Sequence, residues 1–252
     1  MADISLFEDD YEDSGGDGVD SELGHIDSYG TDYHLSPIQK MEKYMDSDNG
    51  YHRTMVAKNL TDTLRWIVEA DSDGDASAIL TCLARLSEDP EATVRLELMD
   101  QIPHIATYYH ENPDIFGPGV AFMSNYVLPI TCRYLTDDHH LIRKTCQAAL
   151  LVLLEQELID KDDFEEQVCP VMLEVTSADN YDELKIEAIA LMSKMAPLVG
   201  QDITIRMFME RFTELCTDTL FHVRKVCASN FGDMCTVVGQ EKTETVLLPK
   251  FK

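Results

Sequence analysis

Between Asp218 and Gly239, apolar side chains return every three or four residues: Val223, Val226, Cys227, Phe231, Met234, Cys235 and Val238. That spacing keeps to one face of an α-helix. Asp218 and Thr219 stand ahead of it as acceptors for first-turn N–H groups. Gly239 stands behind it, where a left-handed residue ends a helix. The same pattern recurs four times upstream.

The copies align on one basic residue, at Arg224, Lys185, Arg143, Arg95 and, more loosely, Arg53, with steps of 39, 42, 48 and 42 residues. Seven positions on comes a large apolar residue: Phe231, Met192, Leu150, Ile102 and Leu60. Three positions on comes a smaller or medium one: Cys227, Ala188, Cys146, Leu98 and Val56. Six positions before comes an acid or a capping residue: Asp218, Asp179, Asp137, Asp89 and Ser47. A second register runs through Leu128-Pro129, Cys169-Pro170 and Leu248-Pro249, with Met209-Glu210 in the same slot without a proline.

A period near 40 residues with two helical segments in each unit predicts a helical solenoid of the HEAT or armadillo kind. An acid in the turn, then five residues, then an apolar-basic pair resembles the HEAT repeat in particular. The fold class is therefore all-α, a right-handed solenoid over residues 35–252. It holds about five repeats and the first helix of a sixth. Ser36-Pro37 predicts the start of a helix ending near Met45, and the second helix of that unit runs from about Tyr51 to Glu69. Units two to five pair Ala76–Leu86 with Ala92–Tyr109, then span about 119–157, 163–199 and 203–238. Pro103 is expected to kink its helix. The sixth unit begins at Glu241, and Val246, Leu247, Leu248 and Phe251 are expected to lack a partner. That reads as a piece of a longer solenoid, because terminal repeats carry a polar cap.

Charge changes the picture at the start of the chain. Residues 1–34 hold 11 Asp or Glu and no Lys or Arg. So acidic and apolar-poor a leader is expected to be disordered. It reads as a solubilising tail or a docking segment for a basic partner. It accounts for −11 of the net charge of −27, leaving −16 on the repeats. Such acidity argues against nucleic acid as a partner and against an anionic membrane surface. The start of the chain has no basic and apolar signal-peptide pattern, and no apolar run reaches the length of a membrane span. The seven cysteines have no C-x-x-C spacing. They fall mostly on predicted helix faces and read as buried thiols in a reducing compartment.

Two stretches imitate metal sites. Asp71 to Asp75 looks like the start of an EF-hand loop, but its sixth and twelfth positions are Ala76 and Cys82. Those places need Gly and a bidentate Glu, so an acidic inter-repeat loop is expected instead. Asp137-Asp138-His139-His140 offers ligand types, and a metal-dependent hydrolase built on it is one reading. The rest of such a ligand set is missing, and cap residues are the better reading. No nucleophile-base arrangement, P-loop or dinucleotide fingerprint occurs, so no catalytic residue, cofactor or metal is assigned. The informative constellation is the charged register Asp89, Arg95, Asp137, Arg143, Asp179, Lys185, Asp218 and Arg224. Stacked turns let each base reach its own unit's acid and the neighbour's, which makes these residues ladder or protein-binding candidates.

The strings DDHHLIRKTCQAALLVLLEQELID, EAIALMSKMAPLVGQDIT and FHVRKVCASNFGDMCTVVGQ resemble the HEAT-repeat regulatory subunit 1 family of serine/threonine-protein phosphatase 4. QIPHIA, CPVMLEVTSAD, the LLPKF ending and the leader MADISLFEDD are similar to the same family. The scaffolding A subunit of protein phosphatase 2A looks like a more distant relative. Glu210 where proline is expected, Lys185 for Arg and Ser47 for Asp depart from the pattern. The resemblance implies a non-catalytic scaffold that binds the phosphatase catalytic subunit and directs it to substrate proteins; the expected location is the cytoplasm, with the nucleus as a second compartment. The competing reading is a HEAT-repeat adaptor or transport receptor that grips a basic protein segment.

Overall fold

The computed structural model describes residues 28–69, 76–177 and 180–251. The disorder expected of the leader falls, through residue 27, outside these residues. So do the EF-hand-like stretch from Asp71 to Asp75 and the ladder candidate Asp179. Packed structure begins ahead of Leu35. Ser28–Thr31 forms a short helix, α1, and Tyr29 lies against Tyr44 with ring centroids 5.1 Å apart.

In unit one, α2 (Pro37–Tyr44) carries a complete capping box. Ser36 Oγ accepts from the Gln39 N–H, and Gln39 Oε1 accepts from the Ser36 N–H. These bonds satisfy two donors that a helix start would leave open. The second helix of the unit is two segments, α3 (Gly50–Lys58) and α4 (Leu60–Glu69), interrupted at Asn59. Unit two pairs α5 (Ser77–Leu86) with α6 (Ala92–Glu111). α6 runs as one helix through Pro103. Unit three pairs a π-helical turn (Met123–Val127) and α7 (Leu128–Tyr134) with α8 (His140–Glu155). Unit four pairs α9 (Lys161–Asp163), a π turn (Phe164–Val168) and α10 (Cys169–Val175) with α11 (Asp182–Val199). Unit five pairs α12 (Gln201–Ile203), a π turn (Thr204–Phe208) and α13 (Met209–Leu215) with α14 (Phe221–Lys242). A last π turn (Thr243–Leu247) and a 3-10 turn (Leu248–Phe251) follow.

The second helices stack in one row, α3 on α6 on α8 on α11 on α14, and the first helices form another row behind them. The core between the rows is continuous, because each unit buries its apolar face against its neighbours. Among the described residues every element is helical, and no helix is long and apolar enough to cross a membrane. Four of the five large apolar register residues, Leu60, Ile102, Leu150 and Met192, are fully buried. Phe231 is only partly buried. At the end of the chain Leu247 is buried after all, while Leu248 is 39% exposed.

The π turns recur every 39–41 residues, each just ahead of the second register. In each, an N–H reaches the carbonyl five residues back: Leu128 to Met123, Cys169 to Phe164, Met209 to Thr204 and Leu248 to Thr243. Proline follows three of these donors. It has no N–H, and its ring crowds the carbonyl four residues back. The third turn forms ahead of Glu210 instead, so proline is accommodated by the π turn and does not create it. Gly200 and Gly239 fill a second repeated slot, with φ of 90° and 81° and ψ near 170°. That extended positive-φ region is open essentially to glycine alone. It breaks α11 from α12, and it bends α14 near its end.

Candidate functional site: the charged ladder

The basic register residue lies in the first turn of each second helix. Its guanidinium donates to the backbone carbonyl six residues earlier in four units. The bonds are Arg53 to Ser47 (2.7 Å), Arg95 to Asp89 (2.7 Å), Arg143 to Asp137 (2.9 Å) and Arg224 to Asp218 (2.7 Å). The side chain at that earlier position folds its own turn. Asp89, Asp137 and Asp218 accept the N–H two residues on, at 2.9, 2.9 and 2.8 Å. Ser47 Oγ does the same for Asn49 at 3.2 Å. This is the local competition by which Asp and Ser favour turns over helix interiors.

Each arginine therefore meets its own unit through the backbone. For Arg53, Arg95 and Arg143 the carboxylate partner comes from the next unit. Arg53 holds Asp89 at 2.6 and 3.0 Å, and Arg95 holds Asp137 at 2.9 and 3.0 Å. Both pairs are two-pronged, the geometry in which a guanidinium binds a carboxylate best. Arg53 also reaches Glu91 at 2.9 Å. The third rung departs from the register. Arg143 pairs with Glu187 at 2.9 and 3.0 Å and with Glu183 at 3.1 Å. Glu187 in turn accepts from Gln147 at 3.1 Å. Lys185 is buried. Arg224 bonds the carbonyls of Asp218 and Thr219, and no carboxylate of the described residues lies within ion-pair distance of it.

Electrostatics follow the geometry. The Asp89 carboxylate raises the proton affinity of Arg53, Asp137 does so for Arg95, and Glu187 for Arg143. Burial pushes the Asp137 carboxyl up. Bonds from Arg95 and the His139 N–H outweigh that burial and hold it below its ordinary value. Asp137 is thus a ladder member and turn residue, and His139 is the N-cap of α8. Among the described residues no group of three or more His, Cys, Asp or Glu could hold a metal ion.

Uncharged bonds span the same interfaces. Thr61 donates to Gln101 at 2.7 Å, Gln167 to the Ser124 carbonyl at 3.1 Å, and Tyr134 to the Ser87 carbonyl at 3.1 Å. All seven cysteines are free thiols. Burial pushes Cys82 and Cys169 up to about 12 and Cys132 up to about 11. These three stay protonated at neutral pH, as inert core residues do. The polar groups gathered along the turns are thus spent on holding one unit to the next. Glu91, Glu183 and Glu187 are the members that register reasoning missed. Glu187 sits two residues beyond Lys185, in the first turns of a helix, while the register looks for acids in the turn before it.

No family model matches the chain. The chain is 48% identical over 249 residues to human serine/threonine-protein phosphatase 4 regulatory subunit 1, covering 94% of this chain and 26% of that protein. The mouse and rat proteins of the same name match equally, so the chain spans about a quarter of the length of these relatives. Among solved structures, the MAST/Orbit N-terminal domain superposes with a TM-score of 0.58 at 14% identity, over 83% of this chain and 88% of that one. That likeness is one of fold alone. Over nearly its whole length, then, this chain is a homologue of serine/threonine-protein phosphatase 4 regulatory subunit 1.

Proposed function

We propose that the chain serves as part of a non-catalytic regulatory subunit. In this reading it binds a serine/threonine phosphatase 4 catalytic subunit and directs or modulates dephosphorylation of substrate proteins. The observation that carries the reading is the 48% identity to proteins named as regulatory subunits. The fold supports it, because a stacked wall of helices offers extended surface. The ladder residues Asp89, Arg95, Asp137 and Arg143 act in this reading by fixing the spacing between units, and so the shape a partner meets. The test is co-expression of the tagged chain with a phosphatase 4 catalytic subunit, followed by affinity capture. Recovery in near-stoichiometric amount is expected. Failure to recover it, where full-length human regulatory subunit 1 recovers it in parallel, would overturn the proposal for this chain.

A further inference from the structure

A groove of about 420 Å³ crosses the row of second helices where α8, α11 and α14 lie side by side. Its lining follows the repeat. Every residue in it falls 8–13 positions after its unit's basic marker, Arg143, Lys185 or Arg224. The groove therefore runs across the helices and along the stack. Neighbouring packed helices lie roughly 8–10 Å apart, so three of them span about 20 Å. An extended chain rising roughly 3.3 Å per residue crosses that span in about six residues.

The lining has a charge order. Glu155 on α8 marks one side, Lys194 on α11 the middle and Asp233 on α14 the other side. Apolar surface lies between them, at Leu151, Val237 and the 38% exposed Leu198.

We propose that this groove binds an extended peptide segment of another protein with basic residues at both ends and an apolar-acidic centre. The end bases meet Glu155 and Asp233. The acid meets Lys194, and the aliphatic side chain lies on Leu198. The complement of a negative-positive-negative lining is positive-negative-positive, which differs from a uniformly basic segment at the position facing Lys194. The site stands apart from the phosphatase proposal, since neither needs the other.

The test is fluorescence anisotropy with the full chain and two labelled hexapeptides at low salt. One is Arg-Ala-Leu-Glu-Ala-Arg, and the other is its charge reversal, Glu-Ala-Leu-Lys-Ala-Glu. The first is expected to bind at least about tenfold more tightly, the effect of roughly one well-placed charge contact. Glu155→Lys and Asp233→Lys are each expected to weaken it about tenfold, and Lys194→Glu to prefer a peptide with a basic centre. Circular dichroism checks that each variant keeps its helix content. Equal binding of the two peptides, or a preference untouched by all three substitutions in folded protein, would overturn the proposal.

Discussion

The junction between units three and four and the outer side of unit five place the same register residue in opposite surroundings. Arg143 is 5% exposed in its side chain and holds two glutamates of the next unit. Arg224 makes the same bonds to its own turn, yet it is exposed and meets no carboxylate of the described residues. The apolar position seven residues on behaves alike. Leu150 and Met192 are fully buried, while Phe231 is only partly covered. The same register residues, an Asp and an Arg six positions on, thus give the same turn, and burial is supplied by the neighbour. A solenoid unit is complete in hydrogen bonding before it is complete in packing.

The sharpest way to break this comparison is to cut back the apolar position in both places. Met192→Ala is expected to cost about 3 kcal/mol in urea unfolding, the usual range for a buried methionine, and Phe231→Ala about half of that. Native-state hydrogen exchange should show faster opening in units four and five than in unit one, because contacts are with nearest neighbours. Equal costs, or uniform acceleration along the chain, would erase the distinction between the two regions.

The charged position comes next. Arg143→Ala leaves Glu187 largely buried without its base, which is expected to cost about 3 kcal/mol. Arg224→Ala removes an exposed side chain and is expected to cost under about 1 kcal/mol. A third contrast concerns the two glycine slots. Gly200→Ala and Gly239→Ala both force a side chain into a region essentially reserved for glycine, at about 1–3 kcal/mol each. Open space surrounds a Cβ at Gly200, whereas one at Gly239 meets the Gln201 side chain at 3.1 Å. Gly239→Ala should therefore be the worse of the two.

The smallest effect is on pH. The carboxyl of Asp137 titrates below its ordinary value of 3.8 in the folded chain. A depressed carboxylate adds stability at pH above the unfolded value and loses it as pH falls through the folded one. Acid unfolding of Asp137→Asn should therefore depend less on pH below about 4 than that of the parent chain. A parallel loss in both proteins would remove Asp137 from the ladder.

Much of the fold was legible because a 40-residue period leaves several markers to align at once. Asp89, Arg95, Asp137 and Arg143 were found in this way, and the structure brings them into one ladder. Its direction was not legible. Sequence spacing treats a unit's own acid and the next unit's acid alike. The choice is made in three dimensions, where the acid's own arginine takes the backbone carbonyl and leaves the carboxylate to the preceding unit. Glu187 was missed because it lies within α11, outside the turn register. The π turns were invisible for a similar reason. Proline marks three of them, but Met209-Glu210 forms the same turn without one. Phe231 read as core because its helix face is apolar, and a single sequence pattern does not say whether a neighbour covers that face.

The most direct measurement is a pair of double-mutant cycles in urea unfolding, Arg95 with Asp137 across units and Arg95 with Asp89 within one. Coupling of at least about 1 kcal/mol is expected across the units, where the two-pronged pair lies, and close to zero within the unit, where the bond is to backbone. Stronger coupling of Arg95 to Asp89 than to Asp137 would contradict a ladder that ties each unit to the next.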